Sequence, residues 1–466
     1  MRVSRRTLLS SAGAAAIGLG FGSRRSLAEK DSEDLWLTPR PAFARLAGAG
    51  HPDTAVWAYD GTVPGPTIRI PQGRPVRIVV NNSLGENTTV HWHGIRLPNA
   101  MDGVPGLTQP PIRPGDSFAY EFTPPDAGTF WYHPHEDTLQ QLGRGLAGAL
   151  IVEEAEPVPV DRDLLWVIED WRLDKGAQLA RGFGNRMEAG MSGRIGNTVT
   201  INGRVPDRVP VRAGERLRLR LVNATLARIV ALDFAAHRPI VIAYDGQPCD
   251  AHPPEGGLVV LGPAMRADLI LDMTGEPGRR YPVTDDFYRD LAYRLVDLSY
   301  EPETSRRSAS RPPVPKLPDN PVPQPELGYA VRHEIVLQGG MMSGMGMRMG
   351  MMGGGALWAI NGMSMTGDGR ADMPPLLTVA EGQSCILALR NETAWWHPMH
   401  LHGHSFRVIG RNGVPNPRRE WRDTVLLPPR ETADLAFVAD NPGNWMFHCH
   451  VADHQTAGMM GVIRVA

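Results

Sequence analysis

Ile68-Arg69-Ile70-Pro71-Gln72-Gly73-Arg74-Pro75-Val76-Arg77-Ile78-Val79-Val80-Asn81-Asn82 decides the fold. Apolar side chains alternate on both sides of Gly73, and Asn82 follows nine residues after it. Alternation with a period of two around a glycine turn means strand, turn, strand, with one face in a core. The pattern returns twice. Val209 and Val211 precede Gly214, which is followed by Leu217, Leu219, Leu221 and Asn223. Leu377 and Val379 precede Gly382, which is followed by Cys385, Leu387, Leu389 and Asn391. The chain thus holds three copies of one β unit, and the register places Cys385 in the inward row as an inert thiol.

Counting on from each glycine separates the copies by chemistry. Eighteen and twenty residues past Gly73 stand His91 and His93, and the same offsets from Gly382 give His400 and His402. From Gly214 they give Leu232 and Phe234, so the middle copy is apolar where its neighbours carry histidine pairs. Copies one and three match again near their ends. Gly128 stands five residues before His133-Pro134-His135, and Gly443 five residues before His448-Cys449-His450.

Domain limits follow from the repeat. Residues 40–156 form copy one, 157–300 copy two and 329–466 copy three. Residues 301–328 are a linker with seven prolines from Pro312 to Pro325, expected to be extended rather than packed. Plentiful glycine (51) and proline (42) favour many short strands joined by turns. A formal net charge of −2 leaves no broad basic surface for nucleic acid. Residues 1–28 read as a targeting segment. Arg5-Arg6 precede a mildly apolar run, and Ser26-Leu27-Ala28 offers a small-residue cleavage site. Twin arginines point to Tat export and hence to the periplasm, with an uncleaved N-terminal anchor as the alternative. No other window is apolar enough for a transmembrane helix. Three cysteines, Cys249, Cys385 and Cys449, make no disulfide framework, and Cys249 and Cys385 read as buried, inert thiols.

Residues i and i+2 of a strand face the same side, so His91/His93, His133/His135, His400/His402 and His448/His450 each present two nitrogens together. Neutral imidazole suits copper, zinc, iron and nickel, and eight imidazoles converging between the first and third copies would hold about three ions. Cys449 points to the opposite side of its strand, where His397, His454 and Met459 are available. Two histidines, a cysteine and a weak axial methionine are the ligand set of a blue electron-transfer copper. The peptide His448-Cys449-His450 would then join an electron-accepting centre to a metal cluster.

His91-Trp92-His93-Gly94, His133-Pro134-His135, His397-Pro398-Met399-His400-Leu401-His402 and His448-Cys449-His450 through His454 to Met459 resemble the four copper motifs of the multicopper oxidases. The resemblance spans the mature chain and is nearest in style to bacterial laccase-like and periplasmic cuprous oxidases. It implies an all-β chain of three cupredoxin-like Greek-key sandwich or barrel domains carrying four copper ions. By motif position, His397, Cys449 and His454 would bind one type 1 copper with Met459 axial, and His91 and His400 one type 2 copper. His93, His133, His135, His402, His448 and His450 would bind two type 3 coppers. Asp102, eleven residues past His91, matches an acidic position of the family and is the expected catalytic proton carrier. Related cuprous oxidases often carry glutamate after the last histidine ligand; here stands Gln455, which cannot titrate, and Asp453 would point elsewhere on a regular strand. His404 lies within the motif but is not a family ligand. His51, His237, His252 and His333 match no motif.

The implied reaction takes electrons from a reducing substrate to dioxygen. Residues 341–352 hold seven methionines, and soft thioether sulfur prefers Cu(I), which favours a cuprous substrate and a role in copper tolerance. Glu392 and Thr393-Ala394-Trp395-Trp396 do not reproduce the acidic and methionine residues that cuprous oxidases place before the first type 1 histidine. Phenols oxidised by a general laccase-like enzyme are therefore the alternative, with Trp395 and Trp396 available to stack on rings or to pack. A non-enzymatic copper-binding or scaffold protein is the third reading, disfavoured because all ten family histidines and the cysteine are present. A monomer with no membrane association after export is expected.

Overall fold

A computed structural model describes residues 34–305, 313–341, 356–367 and 373–466. The targeting segment and the methionine run beyond Met341 lie outside these residues. From Asp34 onward the chain folds into paired β-sheets, with helix confined to short pieces such as Thr138–Gly143, Arg186–Ala189 and Ala452–Thr456. Among the described residues no helix is long and apolar enough to cross a membrane.

The glycine turn seen in the sequence has a specific task in all three copies. Gly73, Gly214 and Gly382 adopt φ of +70°, +92° and +77°, in the left-handed region that favours glycine. The strands on either side do not pair as a hairpin; the turn carries the chain from one sheet to the facing one. In copy one, Gly65–Pro71 runs parallel to Gly148–Glu153, whereas Val76–Asn81 lies in the other sheet between Leu35–Leu37 and Ser117–Phe122. In copy two, Arg208–Val211 is parallel to Tyr293–Tyr300, and Arg216–Asn223 sits between Arg162–Trp171 and Arg266–Asp272. In copy three, Pro375–Val379 is parallel to Met460–Val465, and Ser384–Asn391 sits between Val331–Gly339 and Thr432–Val438. The inward rows of the two sheets fill one core per copy, which is the sandwich the alternation demands.

The repeat asparagines are structural staples. Each is buried, accepts a backbone N–H two residues ahead and donates to carbonyls across the loop: Asn82 to Ile112, Asn223 to Leu261 and Asn391 to Pro428. In the middle copy Leu232 and Phe234 are buried in their own core, where the outer copies place histidines.

Three expectations need correction. The linker has no regular structure between Pro313 and Pro325 yet is packed: Leu317 joins a core cluster with Ile242, Ala243 and Ile270. Asn320 clamps it by bonds to Ala127 N and O at 2.9 Å and to Gln247 Oε1 at 2.9 Å. Prolines removed its ladder donors, but its remaining apolar side chains still found cover. Cys249 is only half-buried, and desolvation pushes its thiol up to about 12. Asp453 belongs not to a strand but to the helix Ala452–Thr456, and its Oδ2 accepts the Arg194 N–H at 2.7 Å.

Candidate metal centre

The strand His91–His93 closes one edge of a four-stranded sheet beside Gly128–His133, and the register sets His91 against His133. In copy three, His397–Leu401 pairs with Gly443–Cys449, setting His400 against His448 and Met399 against Cys449. These two sheet regions bring together eight imidazoles, none more than 2% exposed. Their nitrogens fall into overlapping triads within 4.8 Å: His91/His93/His400, His93/His133/His450 and His135/His402/His448.

The hydrogen bonds sort the nitrogens into two sets. Those facing outward are committed: His91 Nδ1 to Asp102 O (2.8 Å), His133 Nδ1 to Pro134 O (3.0 Å) and His400 Nδ1 to Asp423 O (2.9 Å). His402 Nδ1 bonds Asp102 Oδ2 at 2.9 Å, His448 Nδ1 bonds Cys449 O at 3.0 Å, and His93 Nε2 lies 3.2 Å from Asp423 Oδ1. Each of these imidazoles gives its N–H outward and keeps a lone pair inward. The inward nitrogens of His91 (Nε2), His93 (Nδ1), His135 (Nε2) and His400 (Nε2) are buried without a partner. Others face each other, His402 Nε2 and His448 Nε2 at 3.1 Å and His133 Nε2 and His450 Nε2 at 3.4 Å. Opposed lone pairs in a dry cavity are satisfied by cations, so the donor set fits copper. Burial pushes His93, His133, His135, His402, His448 and His450 well below the ordinary histidine range, and neighbouring imidazoles add to it. They are neutral, as ligands must be.

A second constellation lies on the other side of Cys449. Its Sγ is 3.5 Å from His397 Nδ1 and 3.6 Å from His454 Nδ1, and the two nitrogens are 3.2 Å apart. The outer nitrogens are again held, His397 Nε2 by Thr393 Oγ1 at 2.8 Å and His454 Nε2 by Met191 O at 2.8 Å. Met459 is buried in the same core cluster as Cys449, and its carbonyl accepts the Cys449 N–H at 3.0 Å. Burial pushes His454 down to about 3.

Of the remaining sequence candidates, Asp102 is 1% exposed and touches two imidazoles, His402 through Oδ2 and His91 through both its carbonyl and Oδ1 (3.2 Å). His404 is buried against Phe437 and Trp445, outside both groups, with its pKa pushed down to about 4 by burial. His237 bonds Tyr300 Oη within the middle copy. Trp396 packs on Phe287, and Trp395 packs against the third core. Gln455 is buried with its amide nitrogen unpartnered.

Two residues escaped the sequence reading. Asp423 holds His93 and His400 as Asp102 holds His91 and His402, so each carboxylate grips one imidazole from each outer copy. Arg266 of the middle copy, fully buried, clasps Asp423 in a bidentate pair at 2.8 and 2.6 Å and donates to Thr129 O of the first copy at 3.2 Å. The guanidinium holds the Asp423 carboxyl well below the usual carboxylate range against the opposing effect of burial. Nothing in the spacing of either residue announces it; only the strand register of Thr424–Leu427 against His397–Leu401 places Asp423 there.

Paired sheets carrying a thiolate centre joined through one peptide to an imidazole cluster define a cupredoxin-type electron-transfer metalloprotein. Family models described as multicopper oxidase match residues 44–157, 162–299 and 349–466. Multicopper oxidase MmcO of Mycobacterium tuberculosis is 31% identical over 91% of this chain and 85% of its own. The crystal structure of a multi-copper oxidase from Pseudomonas thermotolerans is 36% identical, covers 93% of this chain and 99% of its own, and superposes with a TM-score of 0.83. A multicopper oxidase from Campylobacter jejuni, described as a metallo-oxidase, is 27% identical over 94% of this chain and 92% of its own, with a TM-score of 0.77. The chain belongs to the multicopper oxidase family. It is therefore an oxidoreductase with copper cofactors, using dioxygen and a reducing substrate.

Proposed function

We propose that this oxidase takes electrons singly from Cu(I), and also from phenols, and uses four of them to reduce dioxygen to water, in the periplasm after Tat export and in the service of copper tolerance. The carrying observation is that the inward nitrogens of His91, His93 and His400 are buried and unpartnered while their opposite ring nitrogens are tied to fixed acceptors. In this reading His397, Cys449 and His454 hold one type 1 copper with Met459 axial, and His91 and His400 one type 2 copper. The triads His93/His133/His450 and His135/His402/His448 each hold one type 3 copper. Bound copper would supply the electron acceptor beside Cys449 and the site of dioxygen reduction among the eight imidazoles. The chain supplies the rest: His448-Cys449-His450 forms a through-bond link between the centres, and Asp102 is placed to hold a proton at His402 Nδ1.

A cuprous substrate is supported by the methionines from Met341 onward and by the metallo-oxidase description of the Campylobacter jejuni relative. The laccase-like reading is weakened because the outer nitrogen of His454 is already bonded to Met191 O. The test is a purified, copper-loaded monomer assayed for copper content, visible absorption and oxygen uptake with Cu(I) against a phenol. Colourless protein holding fewer than about three ions per chain defeats the copper assignment. Deletion of residues 341–352 is expected to lower Cu(I) turnover far more than phenol turnover, and equal losses defeat the cuprous reading.

A further inference from the structure

The middle copy carries no copper ligand, yet one of its segments covers the thiolate centre. Asn185 caps the short helix Arg186–Ala189 by accepting the Met187 N–H at 2.9 Å, and the chain then runs through Gly190 and Met191 to Arg194. Hydrogen bonds fasten this stretch to the third copy. Trp358 Nε1 donates to Ala189 O at 2.7 Å, and Met341 N to Gly190 O at 2.9 Å. His454 Nε2 donates to Met191 O at 2.8 Å, and Arg194 N to Asp453 Oδ2 at 2.7 Å. His454 is 0% exposed, and its outer nitrogen is occupied by the Met191 carbonyl.

The outer side of the same stretch is lined with sulfur. Met187, Met191 and Met341 are 63%, 37% and 45% exposed, unlike the core methionines Met399, Met446 and Met460 at 0%. Met187 lies on the short helix and Met191 just past its end, where its N–H bonds Glu188 O at 3.0 Å. Met341 fills the notch that Gly190 leaves: a Cβ at Gly190 would come within 3.0 Å of its Sδ. Exposed thioethers gain nothing from burial, but they are soft ligands suited to Cu(I).

We infer that Met187, Met191 and Met341 form an electron-uptake port where the middle and third copies meet, a docking site for Cu(I) held outside the peptide whose inner carbonyl bonds His454. The inference rests on the cuprous reading above and names the residues that receive the ion. A docked Cu(I) gives up one electron and departs as Cu(II), and the electron crosses the Met191 carbonyl and its hydrogen bond to His454. Four such ions, one dioxygen and four protons give four Cu(II) and two waters.

Met→Leu preserves volume while removing the sulfur, so the test uses Met187→Leu/Met191→Leu/Met341→Leu in the copper-loaded full chain. Ag(I), a soft cation that does not donate electrons, is the binding probe. The triple variant is expected to bind one fewer Ag(I) per chain than the wild type. Its KM for Cu(I) is expected to rise about tenfold or more, with kcat at saturation changed less than about twofold. An unchanged Ag(I) count together with an unchanged KM overturns the port. Wild-type protein that binds the additional Ag(I) yet oxidises no Cu(I) overturns the cuprous reading instead. Should the triple variant lose its visible band, Met187→Leu alone, on the most exposed of the side chains, carries the same comparison.

Discussion

Asp102 and Asp423 do similar geometric work with different freedom. Asp423 is pinned by the bidentate Arg266 pair, whereas among the described contacts Asp102 meets imidazoles and no guanidinium. Asp102→Asn keeps the shape but replaces the carboxylate that accepts from His402 Nδ1. Dioxygen reduction is expected to slow about 10–100-fold, the usual range for an outer partner of a ligand, with the visible band of the Cys449 centre retained. Stopped-flow reoxidation checks this. The resemblance to the multicopper oxidases pointed to Asp102; it did not point to Asp423, and an aspartate 21 residues past His402 has no periodic relation to the pair it serves. A second residue-scale effect lies on the strand Arg162–Trp171 of the middle copy. Glu169 is 3% exposed with Oε2 unpartnered, and burial pushes its carboxyl up to about 8. The folded value lies above the unfolded one, so the unfolded chain sheds its proton first as pH rises. Stability from this group is complete below about pH 4 and falls by roughly 1.4 kcal/mol per pH unit up to about pH 8. Glu169→Gln is expected to unfold at higher urea than the wild type at pH 7.5 and at the same urea near pH 4.

At the scale of elements, the recurring asparagine and the turn glycine explain how one pattern serves three copies. Loss of a buried staple of this kind is expected to cost about 1–3 kcal/mol. Asn223→Ala should lower the thermal midpoint and leave the visible spectrum untouched. Asn391→Ala should disturb both, because Asn391 Oδ1 accepts from Thr393 Oγ1, which in turn holds His397 Nε2. Identical spectra for the two variants would contradict that chain of contacts. The strands beside Gly73, Gly214 and Gly382 were legible from alternation, but their separation into different sheets was not, since alternation records which face is buried and not which strand lies alongside. The proline-rich strap was misjudged for a related reason: composition reports missing donors but is silent about a single leucine and asparagine that dock it.

Across the whole molecule, Arg266 ties the three copies together at one guanidinium, bonding Thr129 of the first and Asp423 of the third. Breaking a buried pair of this kind leaves an uncompensated charge and costs about 3–5 kcal/mol. Arg266→Met is expected to give protein that loses copper from the His91/His400 position during dialysis, measured by metal analysis and electron paramagnetic resonance, while the copper beside Cys449 stays. The sequence showed that the middle copy lacks ligands; it gave no sign that this copy steadies the ligands of the others. The crosswise grip of Asp102 and Asp423 bears also on biosynthesis. Each carboxylate needs an imidazole from near residue 91 and one from near residue 400, so neither grip forms until the third copy has been made. The full cluster of eight imidazoles therefore exists only once the first and third copies have folded against each other.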